Sequence, residues 1–300
     1  MGGVRSPLST GEHADRVGQD MRYAVRGLRR NPVFASVAIL TLALGIGMST
    51  AVFSVVSAAL IKPLPYPDSD RIVWLANADR RLHRELASAP DFADWRDQAR
   101  SFEAMAGYMT RDSTVQDGDQ SAKHSLVSIT PEFWRIAGAR AEIGRLFSGD
   151  ESDVAVLTWR MFRQRFAGDA RVVGRIVRVD GRPVTIIGVL PEHFRFLPPS
   201  GAISGMSGEA EAFTPNIIGP EQRSRANGVL VLYVVAKLKP EVSLARARAE
   251  MQGIQERIAH QNPAWGGFYS GSDLRIVPLQ EKLVGESRRT LLILLAAVGF

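Results

Sequence analysis

Residues 33–61 read VFASVAILTLALGIGMSTAVFSVVSAALI, an uncharged run of 29 residues in a chain of 300. A bilayer crossing needs about 18 such residues, and at ~1.5 Å rise per residue this helix reaches roughly 43 Å against a hydrocarbon core of about 30 Å. The run predicts a transmembrane helix that tilts or protrudes. A cleaved secretory signal fits less well, although Ser57 to Ala59 offers a small-x-small site. Signal cores span about 7 to 15 apolar residues behind a short basic stretch, and here 32 residues come first. A buried helix of a soluble protein also fits poorly, because both faces stay apolar for about eight turns.

Within the run, TLALGIGMSTAV (41–52) places two glycines, a serine and a threonine in six positions, a composition suited to cradling phosphate. Such a loop needs backbone amides free to point at an anion. A helix in hydrocarbon must keep its amides bonded internally. The small residues therefore predict a helix-packing face: Ala43, Gly47 and Ala51 recur at i, i+4, i+8, and Gly45 with Ser49 forms a neighbouring pair. Thr41, Ser49 and Thr50 can bond their own helix carbonyls or reach across that contact.

Upstream, RVGQDMRYAVRGLRR (16–30) repeats Val17, Met21, Ala24, Val25 and Leu28 at helical spacing, with Arg16, Arg22, Arg26, Arg29 and Arg30 on the wet side. This is the pattern of an amphipathic helix lying on anionic headgroups; a solvated helix on a soluble domain is the competing reading. Five arginines lie within residues 16–30, just before the span, whereas only Lys62 and Arg71 fall in the fifteen residues after it. The asymmetry predicts a cytoplasmic amino terminus and an extracytoplasmic segment over 62–288, although Arg288 and Arg289 run against the trend. The exit KPLPYPDSDRIV carries three prolines that stop the helix and stiffen the way out. The apolar run LLILLAAVGF (291–300) reads as the start of a second span cut short, and the chain as a fragment of a longer gene product or a degenerate copy of one.

Between the spans the signals alternate. RIVWLA (71–76), a short helix at 90–98 with Ser88 as cap, and an extended stretch at 102–108 make one β-α-β unit. GVLVLYVVAKLKP, a helix starting after Ser243, and DLRIVPL make a second. RIVRVDGRPVTIIGVL predicts a hairpin turning at Asp180 and Gly181. Residues 197–227, rich in glycine, serine and proline, read as a long irregular connection. The fold class is therefore α+β, carried outside the membrane by an amino-terminal transmembrane helix.

The chemistry is mostly absent. There is no cysteine, hence no disulfide and no thiolate ligand. No phosphate-binding G-x-x-x-x-G-K-[ST], no G-x-S-x-G and no H-E-x-x-H occurs. The five histidines lack ligand spacing, Asp91, Asp94 and Asp97 read as a solvated helix face, and GDESD (149–153) reads as a loop without the spaced oxygens of a calcium site. The formal charge of +6 does not gather on one face outside the membrane-side cluster, so nucleic acid is not expected. The expectation is a protein without catalytic, cofactor or metal residues, and not an enzyme.

FASVAILTLALGIGMSTAVFSVVSAALIKPLPYPDSDRIV resembles the amino-terminal segment of MacB-like permeases of ABC transporters, within the FtsX-like superfamily and in particular the acidobacterial orphan type. SLVSITPEFWRIAGARAEIGRLFSGDE, VAVLTWRMFRQRFAGDARVVGRIVRVDGRPVTIIGVLPEHFRF and LVGESRRTLLILLAAVGF follow in the order of that family's periplasmic core domain and second span. The resemblance implies porter-like parts at about 70–110 and 228–287, an inserted β-rich subdomain at about 111–227, and the second span beginning at 289. It further implies a bacterial inner-membrane location, a permease dimer working with a separate cytoplasmic ABC ATPase, and a periplasmic adaptor or substrate protein as partner. An anchored extracytoplasmic module that regulates an envelope protein is the alternative function.

Overall fold

The computed structural model describes residues 31–60, 64–79, 84–196, 208–227, 231–283 and 285. The basic segment with Arg16, Arg22, Arg26, Arg29 and Arg30, and the expected second span at 289–300, lie outside the described residues. The chain divides into two compact units, residues 1–61 with 287–300, and residues 62–286.

In the first unit the apolar run forms one helix, α1 (Pro32–Leu60), with proline at its first position, where a missing amide costs no hydrogen bond. Its stretch Pro32–Thr50 is apolar enough to cross a membrane, with mean hydropathy 2.0.

The second unit is built on one mixed sheet. Its first strand β1 (Ile72–Asp79) is followed by a short β2 (Arg84–Ser88), helix α2 (Ala89–Gln98) and the long strand β3 (Phe102–Asp117). Ser88 caps α2 as expected, its hydroxyl accepting from the Asp91 amide at 3.1 Å. The chain then runs through β4 (Gln120–Ile129), α3 (Glu132–Ala137), β5 (Ile143–Gly144), β6 (Val154–Leu157), α4 (Trp159–Arg165), β7 (Ile176–Val179), β8 (Arg182–Val189), β9 (Ala212–Pro215) and α5 (Pro220–Arg223). It closes with β10 (Val231–Leu238), α6 (Leu244–Gln261), α7 (Gly266–Gly271) and β11 (Ser272–Pro278).

The two β-α-β units interleave rather than standing side by side. β10 runs antiparallel between β1 and β3, and β1 runs antiparallel between β11 and β10, giving the order β11-β1-β10-β3 of a split β-α-β layer. β2, which has no counterpart in the sequence reading, fits where β1 and β10 diverge and pairs with both. Beyond β10, strand β3 carries the sheet into the inserted region. Residues 110 and 111, the expected boundary, lie inside β3, which pairs with β10 over Phe102–Tyr108 and with β4 over Tyr108–Asp117.

Alternation along the strands sorts the core. Ile72, Trp74 and Ala76 of β1 face one side with Tyr233 and Val235 of β10; Val73 and Leu75 face the other with Leu232 and Val234. The second side is covered by α2 and by α6, whose Ala247, Met251, Ile254 and Ile258 form a single buried stripe. The first side is an aromatic layer under α3. The hairpin β7–β8 turns at Asp180 (φ 49°) and Gly181 (φ 83°), the left-handed pair that a two-residue turn of this type requires.

The expectation of an irregular connection over 197–227 needs correction. β9 lies inside the sheet, parallel to β4 and antiparallel to β6, with Phe213 fully buried. Four residues are too few to show a period of two, and the glycine-rich neighbourhood masks them.

Candidate functional site

The features that bear on function lie in three places. On α1, the large apolar side chains from Val33 to Met48 are 57% to 77% exposed. Among the described residues nothing lies within 4 Å of a Cβ placed on Gly45 or Gly47. Ala43 is exposed and Ser49 half-buried on this helix; the surroundings of the Ala51 side chain lie outside the described residues. The Thr41 hydroxyl donates to the Val37 carbonyl at 2.8 Å and that of Thr50 to the Ile46 carbonyl at 2.7 Å, which hides both polar groups within the helix.

The second place is the base of the extracytoplasmic unit, where the exit segment and the returning segment both insert into the aromatic layer. Leu64 and Tyr66 from the exit, and Leu279 and Leu283 from the return, pack on it. The Tyr66 hydroxyl donates to the Arg195 carbonyl at 3.0 Å, tying the exit to the segment that follows β8. Asp68, in a left-handed conformation at φ 50°, places its carboxylate 2.9 Å from buried Lys237 Nζ and 2.5 Å from Arg71 Nη2. The hydrogen bond from Lys237, then that from Arg71, holds the Asp68 carboxyl below its ordinary range. Arg71 also donates to the Leu238 carbonyl at 2.8 Å.

Gly138 ends α3 at φ 60°, and a Cβ there would overlap the Pro67 ring. Replacing Gly138 with alanine therefore combines backbone strain with a clash against the exit segment. It is expected to cost about 1 to 3 kcal/mol, read as a lower denaturation midpoint in the purified chain.

On the returning side, Lys282 Nζ lies 2.5 Å from Glu85 Oε2 and 6.0 Å from the Trp74 ring centroid, and Arg275 pairs with the same carboxylate. Burial alone would raise the Glu85 carboxyl; the hydrogen bond and charge of Lys282, with Arg275, outweigh it and leave the group below the ordinary carboxylate range. A depressed acid contributes stability that is complete above its unfolded value and lost as pH falls through the folded one. Protection of residues 274–283 from hydrogen exchange is therefore expected to hold above about pH 4.5 and to fade below it.

The third place is a polar junction on the helical side. Asp91, 1% exposed, accepts at Oδ1 from Arg225 Nη2 (2.9 Å) and from the Tyr269 hydroxyl (2.7 Å), and at Oδ2 from Asn77 Nδ2 (3.0 Å). Gln255 donates to Asn77 Oδ1 at 3.1 Å and accepts from Trp95 Nε1 at 3.0 Å. Arg225 reaches Asp94 at 2.7 Å, and Arg223 reaches Asp97 at 2.9 Å. Burial, the charge of Asp91 and the hydrogen bond it accepts push the Tyr269 hydroxyl well above its ordinary value. The reading of Asp91, Asp94 and Asp97 as a solvated face is corrected at Asp91, which is 1% exposed, while Asp97 stays 49% exposed. Their spacing is as expected, but all three carboxylates pair with arginines of a distant segment, a pairing that helix periodicity cannot reveal.

Glu151 of the GDESD loop accepts from Arg145 at 2.6 and 2.9 Å and from the Ser148 amide at 3.0 Å, which lowers its carboxyl to about 2. His124 bonds Glu211 at 2.9 Å, and His193 and His260 are exposed. Among the described residues no group of three or more metal-binding side chains occurs.

An apolar helix long enough to cross a membrane and two linking segments packed into one aromatic layer are the features that the described residues assemble. The profile of the MacB-like periplasmic core domain matches residues 35–254. The chain belongs to the MacB-like periplasmic core domain family. It is thereby a transporter permease component with an extracytoplasmic α+β domain. The periplasmic region of MacB from Actinobacillus actinomycetemcomitans shares the fold at 15% identity and TM-score 0.50, over 70% of this chain and 89% of that one. A domain of a protein described as a permease, from Porphyromonas gingivalis, does so at 17% identity and TM-score 0.51, over 71% and 91%. No curated protein matches the chain by sequence.

Proposed function

We infer that the chain is the permease half of a MacB-like ABC transporter, relaying motion from a separate cytoplasmic ATPase to its extracytoplasmic domain for export or envelope work. The supporting observation is the base: exit and return segments both insert into the aromatic layer that also contains Phe194, Phe196 and Phe213 of the inserted part. A displacement of either membrane link must repack that layer, because close-packed interiors transmit strain rather than absorb it. The chain itself carries no reaction and no cofactor; ATP belongs to the partner.

The functional unit in this reading is a dimer in the inner membrane, with the amino terminus cytoplasmic, the segment from Arg16 to Arg30 on the headgroups, and a periplasmic adaptor or substrate protein outside. The open face with Ala43, Gly45, Gly47, Ser49 and Ala51 is where another membrane helix packs. Gly47→Leu fills the close-approach position and is expected to weaken self-association in the membrane at least about tenfold, equivalent to about 1.4 kcal/mol, as read by energy transfer between labelled chains.

The reading is tested by affinity purification from native membranes. An ABC ATPase should co-purify, and protease added to spheroplasts should cut within 64–285 while sparing the amino-terminal arginines. Recovery of an envelope enzyme without any ATPase would instead favour the anchored regulatory module. Cleavage of the arginine segment from outside would invert the topology.

A further inference from the structure

Residues 216–227 carry the chain back from β9 to β10, and they are held mainly by charge. Ile218 is the buried apolar side chain of this arm among the described residues, and α5 buries none. The fastening comes from two arginines set against the carboxylates at i, i+3, i+6 of α2: Arg223 on Asp97, and Arg225 on Asp94 and Asp91. Segments with little apolar burial open locally well before the whole domain unfolds. The sheet beneath has the opposite character, since β3 and β10 bury Tyr108, Tyr233 and Val235 in the aromatic layer.

We propose that this arm is a releasable strap, fastened by Arg223 and Arg225 on the carboxylate ladder of α2, whose release frees the inserted part's return path from α7 and β11 while the sheet stays intact. The link to α7 is direct. Tyr269 donates to Asp91 and accepts from Arg225 Nε at 3.1 Å, and α7 runs straight into β11, the strand that leads to 279–283. The purpose of the strap rests on the relay reading: fastened, it passes displacement at the 279–283 end to the inserted part; loosened, it absorbs it. Its existence does not depend on that reading.

The test is hydrogen exchange on the full chain in lipid nanodiscs without nucleotide, so failure of the relay and failure of the strap are seen separately. Asp97 and Arg223 are half-exposed, with side chains 49% and 42% accessible, so changing them leaves the core intact. In the double variant Asp97→Asn with Arg223→Gln, amides of 219–227 should exchange about two- to fivefold faster, as loss of one exposed ion pair allows, while β3 and β10 keep their protection. Raising salt from about 0.05 to about 1 M should act in the same direction, because exposed ion pairs are screened. The charge swap Asp97→Arg with Arg223→Asp should restore protection. Unchanged exchange in the first variant, loss only together with β3 and β10, or failure of the swap would each overturn the strap.

Discussion

Arg225→Ala is expected to destabilise the extracytoplasmic domain by about 3 kcal/mol, at the low end of the range for breaking a buried ion pair. The loss is large because Asp91, 1% exposed, loses the guanidinium paired with its buried carboxyl group. It is not larger because the Arg225 side chain is 17% exposed, so water can enter the space it leaves, and because Tyr269 and Asn77 still donate to the carboxylate. For a domain of this size the midpoint should fall by roughly 6 to 12 °C. The neutral pair Asp91→Asn with Arg225→Gln should cost clearly less, since no charge is then left buried. Equal losses in the two variants would show that packing, not charge, holds the junction.

Phe213→Ala should cost about 3 to 5 kcal/mol, the range for removing a buried aromatic ring. Phe213 is fully buried, with ring centroids of Trp134 at 5.4 Å, Phe196 at 5.6 Å and Phe194 at 5.8 Å around it. Truncation therefore leaves a cavity at the point where β9, α3 and the segment after β8 meet. Chemical denaturation should show an earlier midpoint with little change in slope. A cost below about 1 kcal/mol would mean that the layer collapses to fill the gap, and the rigid coupling argued for the base would lose its footing.

Much of the scaffold is legible in the sequence because its signals are local. Ser243 before an apolar stripe of period 3.6, Ser88 before Pro90, and Asp180–Gly181 between two alternating runs each specify an element within a few residues. The interleaving of the two β-α-β units was not legible, since nothing in β1 states that β10 is its neighbour. β9 is four residues long and hides among glycines, and β2 is held by the divergence of two other strands. The same holds for the junction. The spacing of Asp91, Asp94 and Asp97 was visible, but their arginines come more than 120 residues later, from a stretch whose composition reads as loop.

The relay is tested most directly by distance measurement between spin labels at Asp119→Cys in the permease dimer, reconstituted with its ATPase. Asp119 sits at the exposed tip between β3 and β4, and the chain has no native cysteine to compete for label. The account predicts that the label-to-label distance in the ATP-bound state differs from that in the nucleotide-free state by about 5 Å or more, the scale of one-turn shifts between packed elements. Identical distance distributions in the two states, with the ATPase active, would contradict it.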